Sequence, residues 1–102
     1  MNTFIMLTRL SSQSISSPKT LEALEKKVVE RISTQCPEVK WIHNFAITGP
    51  YDYLDIFSAP DIQTAFKVSA IIRSFGHAHT ELWNAEEWAQ FKDLIRELPE
   101  NE

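Results

Sequence analysis

Residues 39–59 read VKWIHNFAITGPYDYLDIFSA, and this stretch decides the fold. It contains two segments rich in β-branched and aromatic residues, 39–48 and 51–59, which are separated by Gly49-Pro50. A glycine-proline break between two such segments predicts a β-hairpin. We therefore interpret the two segments as strands two and three of an antiparallel sheet.

The segments on either side of the hairpin predict the other elements. Residues 3–10 (TFIMLTRL) have the composition of a first strand. Ser17-Pro18 predicts the start of a first helix, which Cys36-Pro37 ends. Asp61 is placed to cap a second helix over residues 62–75. Residues 77–83 predict strand four, and Asn84 with Glu87 resembles a capping box that opens a third helix.

The predicted order is therefore β-α-β-β-α-β followed by a C-terminal helix. This order is that of a ferredoxin-like α+β fold, whose four-stranded antiparallel sheet has the strand order 4-1-3-2 and carries both crossover helices on one face. We expect one domain over residues 1–98 and an acidic tail over residues 99–102. The face without helices is called the open face below.

Charge and composition exclude several classes of function. The chain has 102 residues and a net charge of −4, and its basic residues are interleaved with acidic ones, which is unsuited to nucleic acid. No apolar run approaches the roughly 20 residues that span a membrane. Cys36 is the only cysteine, which excludes an intrachain disulfide and a cysteine zinc site within the chain. We expect a cytoplasmic protein with neither nucleic acid nor membrane as a partner.

Alternation along the strands predicts which residues occupy the open face, because residues two apart share a face. In each of strands two to four, one set is aromatic and ionisable and the other is small or aliphatic. We assign the first set to the open face. It includes the wall residues Trp41, Phe45 and Phe57 and the predicted ligand-binding residues His43, Tyr53, Asp55, His79, Glu81 and Trp83.

So much apolar area predicts burial against a second copy of the chain, and a symmetric homodimer is the commonest arrangement. Among these aromatics, Asp55 could act as a general base, with His43 or Tyr53 assisting it. The alternative is that Asp55 lies at a wet rim without a chemical role. We also expect that His43 meets strand four only across subunits, because strands two and four are opposite edges.

A metal site is a further interpretation of strand four. His77, His79 and Glu81 are spaced by two along the strand, and imidazole and carboxylate are ligands of zinc and iron. However, an extended strand separates the first and last of them by about 13 Å. Hydrogen-bonded or solvent-facing histidines explain the pattern more simply, so we predict no metal site and name no cofactor.

Several short motifs together resemble the GYD domain family. They are Gly49-Pro50-Tyr51-Asp52, Ala59-Pro60-Asp61, Gly76, Thr80-Glu81 and the opening Leu7-Thr8-Arg9-Leu10, and they span roughly residues 2–92. The resemblance implies a ferredoxin-like dimeric α/β barrel and no particular reaction. Two positions depart from the family pattern: Ser58 stands where an acidic residue is frequent, and His79 stands where arginine is frequent.

These observations predict a homodimer that binds a small organic molecule on the open sheet face. The alternative is a non-catalytic assembly or regulatory module, whose open face serves only dimerisation. The sequence does not decide whether the protein is an enzyme.

Overall fold

The computed structural model describes residues 1–11, 18–75 and 78–100. The elements, in chain order, are β1 (Asn2–Leu10), α1 (Pro18–Gln35), β2 (Lys40–Ala46), β3 (Tyr53–Ala59), α2 (Ile62–Ser74), β4 (Ala78–Ala85) and α3 (Trp88–Arg96). The strands form one antiparallel sheet in the order β2-β3-β1-β4. The predicted α+β class, element order and strand order are confirmed.

The β2–β3 connection is held to β1 through Asp52. The backbone N–H of Ile47 donates to the Asp52 carbonyl oxygen at 2.9 Å, which closes the hairpin. The Asp52 N–H donates to the carbonyl of Thr8, and the Asp52 carboxylate accepts from the N–H of Leu10 at 2.7 Å. Gly49 has a φ of +138°, which side chains rarely tolerate. The Gly49–Asp52 motif therefore has a structural role.

The helix ends follow local chemistry. The Asp61 carboxylate accepts hydrogen bonds from the backbone N–H of Thr64 at 2.8 Å and from its hydroxyl at 2.7 Å, which confirms the predicted cap of α2. At the end of α1, the N–H of Cys36 donates to the Ile32 carbonyl at 2.7 Å before Pro37 ends the helix. The predicted cap Ser17 lies outside the described residues.

The core lies between α1, α2 and one face of the sheet. Phe57 is fully buried and stacks against Phe4 with ring centroids 5.6 Å apart, while Trp41 packs on it at 5.4 Å. The remaining buried members of this core are Met6, Ile32, Cys36, Ala59, Ala65, Val68 and Ile71.

This core corrects the predicted face of several residues. Trp41, Tyr53, Asp55 and Phe57 lie on the helix-covered face and not on the open face. In β2 the cause is a β-bulge between Trp41 and His43, which reverses the alternation. In β3 both faces carry apolar residues, so the alternation does not indicate which face the helices cover. In β4 the predicted face of Glu81 and Trp83 is found, because Leu82 between them packs against the core and its two neighbours therefore face the other way.

The C-terminal elements also differ from the prediction. β4 continues to Ala85, and α3 begins only at Trp88. Glu87 occupies the cap position without a side-chain hydrogen bond, so the predicted capping box with Asn84 is wrong. No residue of α3 is buried, so its apolar residues Trp88, Phe91, Leu94 and Ile95 are exposed, as is Leu98 just after the helix. Within the described residues, no helix has the length and apolarity needed to cross a membrane.

Candidate functional site

The candidate site is a cavity of about 510 Å³ between α1 and the helix-covered face of the sheet. The apolar face of α1 forms one wall, the ends of β1, β2 and β3 form the floor, and the C-terminal end of α2 closes one side. Its apolar lining comprises Leu10, Leu21, Leu24, Val28, Val29, Ile32, Trp41, Phe45, Ala46, Ile72, Phe75 and Ala78. Its polar lining comprises Thr8, Glu25, Asn44, Tyr53 and Asp55.

Asp55 is the central polar group of the floor. The side-chain amide of Asn44, directly across the β2–β3 pair, donates to one Asp55 carboxylate oxygen at 2.8 Å. Burial raises the pKa of Asp55 above its ordinary value, the Asn44 hydrogen bond partly offsets this rise, and the Glu25 charge adds to it. Among the described residues, no lysine, arginine or histidine forms an ion pair with Asp55. The carboxylate is therefore a strong, uncompensated acceptor.

Tyr53 lies two residues before Asp55 on the same floor. Burial raises the pKa of its phenol, and the charges of Asp52, Glu25 and Asp55 add to the rise. The phenol is therefore neutral at physiological pH, where it can donate or accept one hydrogen bond. Thr8, which is buried in the neighbouring strand, completes a polar floor opposite the apolar wall of α1.

This arrangement has the composition of a small-molecule site. Such sites are mostly apolar, with a few polar groups that fix the orientation of the ligand, and volumes of roughly 300–1,000 Å³ are typical. Asp55, with its raised pKa, could accept a proton from a bound molecule. The described residues contain no cluster of three metal-ligating side chains. The groups that the cavity offers are thus suited to binding and proton acceptance.

The other predicted site residues lie on the open face. His79 pairs with Arg9 across β1 and β4, and the Trp83 indole donates to Glu81 at 3.4 Å. His43 stacks on Phe45 with ring centroids 5.5 Å apart, at the β2 edge. The strand order places β2 and β4 at opposite edges, so His43 is far from His79 within one chain. His77 lies outside the described residues.

The structure thus divides the six predicted residues between two faces. Tyr53 and Asp55 meet in the cavity, whereas His43, His79, Glu81 and Trp83 do not reach it. Sequence reasoning missed the partners of Asp55, Glu25 and Asn44. A signal for Glu25 exists, because it follows Leu21 by four residues and Leu24 by one, beside the apolar stripe of α1.

Comparison with solved structures supports the fold. Protein TTHA0845 from Thermus thermophilus is 24% identical, with 85% of this chain and 95% of that chain covered, and its TM-score is 0.57. Protein Atu4242 from Agrobacterium tumefaciens is 16% identical, with 86% of this chain and 96% of that chain covered, and its TM-score is 0.51. No curated protein matches the chain. At these identities, the similarity establishes the arrangement of elements alone.

The family comparison covers most of the chain. The model of the GYD domain matches residues 4–95, from β1 to the last turn of α3. The matched range includes the Gly49–Asp52 connection, the Asp61 cap and both strands that form the cavity floor. The sequence resemblance is thereby confirmed, and the chain belongs to the GYD domain family.

Proposed function

We propose that this protein binds a small, mostly apolar organic molecule in the cavity between α1 and the sheet. The observation that carries the proposal is the combination of about 510 Å³ of apolar-walled space with the uncompensated Asp55 carboxylate on its floor. Burying a carboxylate without a cation costs free energy, so a cavity without a binding role gains nothing from Asp55. A bound molecule would supply both the missing apolar contacts and a partner for the carboxylate.

This proposal moves the ligand from the open face, where the sequence predicts it, to the opposite face of the same sheet. The reason is geometric. Among the described residues, no helix packs on the open face to enclose a ligand, whereas the helix-covered face has α1 as a second wall. Tyr53 and Asp55 remain ligand-binding residues in this proposal, and His79, Glu81 and Trp83 do not.

The test is binding of a neutral apolar probe, 4-phenylbutan-1-ol, followed by NMR titration. With eleven heavy atoms, such a probe is expected to bind with a dissociation constant on the order of 0.1–1 mM. Leu24→Trp should abolish binding because the indole fills the cavity. Ala23→Trp places the same side chain at an exposed position of α1 and should leave binding unchanged. Equal binding by both variants, or none by the parent protein, would contradict the proposal.

The open face supports a second candidate function, assembly with another copy of the chain. Phe45 and Trp83 are about half exposed there, and Trp88 and Phe91 of α3 are exposed by 67% and 42%. Aromatic side chains bury roughly 150–250 Å² each, so these four offer about 400 Å². A stable interface needs roughly 800 Å² per partner, and the exposed aliphatic residues of α3 add to this area.

Sedimentation velocity would measure this assembly. We expect a homodimer in the micromolar range, and Trp83→Ser should shift the population towards the monomer. The exposed substitution Gln35→Ser, outside both the open face and α3, is the control and should leave the dimer intact. A parent protein that stays monomeric at 100-fold higher concentration would refute this second candidate.

A further inference from the structure

The charges around the cavity indicate the kind of molecule that it accepts. Its ionisable lining residues are Glu25 on α1, Asp55 on β3 and the phenol of Tyr53, and no described lining residue is basic. The Glu25 charge acts on both Asp55 and Tyr53 across the cavity. Two carboxylates on facing walls therefore give the interior a negative potential, which attracts a cation and repels an anion.

The hydrogen-bonding capacity of Asp55 also favours a positively charged ligand. An ionised carboxylate offers about four acceptor positions and no donor. Asn44 occupies one of these positions at 2.8 Å, and no other described residue donates to Asp55. The remaining acceptor positions of the Asp55 carboxylate have no donor among the described residues, and a positively charged donor forms the strongest hydrogen bonds with a carboxylate.

The aromatic lining favours the same kind of ligand. Trp41, Tyr53 and Phe75 all line the cavity. The face of an aromatic ring attracts a cation within about 6 Å, and the interaction is strengthened where water is excluded. Arg31 lies over the ring of Phe75 with 5.3 Å between the guanidinium carbon and the ring centroid, but it is not a lining residue. The cavity itself thus offers aromatic faces and carboxylates without a cation of its own.

We infer that the ligand of this cavity is an organic amine with an apolar body, whose ammonium group binds Asp55 and faces Glu25 while its body packs against α1 and Trp41. This inference rests on the proposed function, since it names the class of molecule that the cavity binds. The apolar residues Leu21, Leu24 and Val28 contact the body of the amine, and the Tyr53 hydroxyl accepts a second hydrogen bond from the ammonium.

Three probes with the same phenyl-alkyl body separate this inference from the proposed function: 4-phenylbutylamine, 4-phenylbutan-1-ol and 4-phenylbutanoate. Isothermal titration calorimetry or NMR titration at pH 7 would give their dissociation constants. We expect the amine to bind about tenfold or more tightly than the alcohol, because its ammonium adds the attraction of opposite charges to the hydrogen bond that the alcohol can also make with Asp55. The carboxylate should bind more weakly than the alcohol.

Variants that remove a charge identify the residues responsible for the preference for the amine. Asp55→Asn should bring the affinity for the amine to within about threefold of the affinity of the same variant for the alcohol, because the asparagine side chain is neutral. Glu25→Gln, at an exposed position of α1, should weaken amine binding by about two- to threefold and provides a second variant that keeps the floor intact. Glu81→Gln removes one carboxylate from the open face and should change nothing.

The outcomes are distinguishable. Equal affinities for amine and alcohol in the parent protein, or amine binding that neither Asp55→Asn nor Glu25→Gln weakens, would overturn the amine inference. Alcohol binding that Leu24→Trp removes would at the same time uphold the proposed function. If none of the three probes binds, both fail.

Discussion

Replacing Asp55 by asparagine should make the folded protein more stable at neutral pH. The substitution keeps the size of the side chain and its position opposite Asn44, but it removes a charge that burial disfavours. Because Asp55 is only partly buried, solvent screens its charge, and we expect the free energy of unfolding to rise by only about 0.5–1 kcal/mol. For a domain of this size, the Tm would rise by about 2–8 °C.

The gain in stability of Asp55→Asn should depend on pH in a defined direction. The pKa of Asp55 in the folded state lies above its ordinary value of 3.8. Its contribution to stability is therefore fully present below that ordinary pKa, where the carboxyl is protonated, and is lost as the pH rises through the folded-state pKa. Asparagine resembles the protonated carboxyl, so the difference between variant and parent should be largest at pH 7 and shrink towards pH 4.

Thermal and urea unfolding at pH 4, 5.5 and 7 would measure this difference. Glu81→Gln changes the net charge by the same amount on the open face and should alter stability by less than about 0.5 kcal/mol. A loss of stability in Asp55→Asn at pH 7, or a gain that is the same at pH 4, would refute the reasoning. The first result would mean that Asp55 has a compensating partner, and the second that its charge is not the cause.

Three further predictions concern the core, the α2 cap and the cysteine. Phe57→Ala should lower the free energy of unfolding by about 3–5 kcal/mol in urea titrations, because Phe57 is fully buried. Phe45 is half exposed, so Phe45→Ala should lower the free energy of unfolding by less than about half of this amount. Equal losses would mean that Phe57 is not in the core. Asp61→Ala should lower the Tm and Asp61→Asn should not, because asparagine also caps helices. The side-chain and backbone hydrogen bonds from Thr64 lower the pKa of Asp61. The contribution of Asp61 to stability is therefore present above its ordinary pKa and should disappear as the pH falls through its pKa in the folded state. Cys36 is 2% exposed and burial raises the pKa of its thiol, so its reaction with a disulfide reagent should be slow and should accelerate in urea in step with unfolding. Rapid reaction of the native protein would show that the end of α1 opens.

Much of the fold follows from local patterns in the sequence. The break at Gly49-Pro50, the cap at Asp61 and the end of α1 at Pro37 each have a chemical cause that acts within a few residues, and the structure confirms all three. The element order then leaves few arrangements of strands, and the predicted order is found. Local signals that agree with one another therefore suffice for the topology.

The candidate site was less predictable because it depends on the phase of two strands. A single extra residue in β2, at the bulge beside Trp41, reverses the faces of that strand, and no local motif marks it. In β3, Leu54 and Ile56 are as apolar as Phe57, so from the sequence alone the charge of Asp55 favours the open face. Asp55 instead lies in a cavity, whose existence depends on how α1 sits over the sheet. The spacing between a helix and a sheet has no signature in a single sequence.

The most direct test of the cavity site is an NMR titration of the ¹⁵N-labelled parent protein with 4-phenylbutylamine. We predict chemical-shift changes at the backbone amides of Leu24 and Asp55 and at the side-chain amide of Asn44, all of which belong to the cavity lining. The amides of His79, Glu81 and Trp83, on the open face, should not shift. Changes confined to His79, Glu81 and Trp83 would contradict the account and place the ligand on the open face.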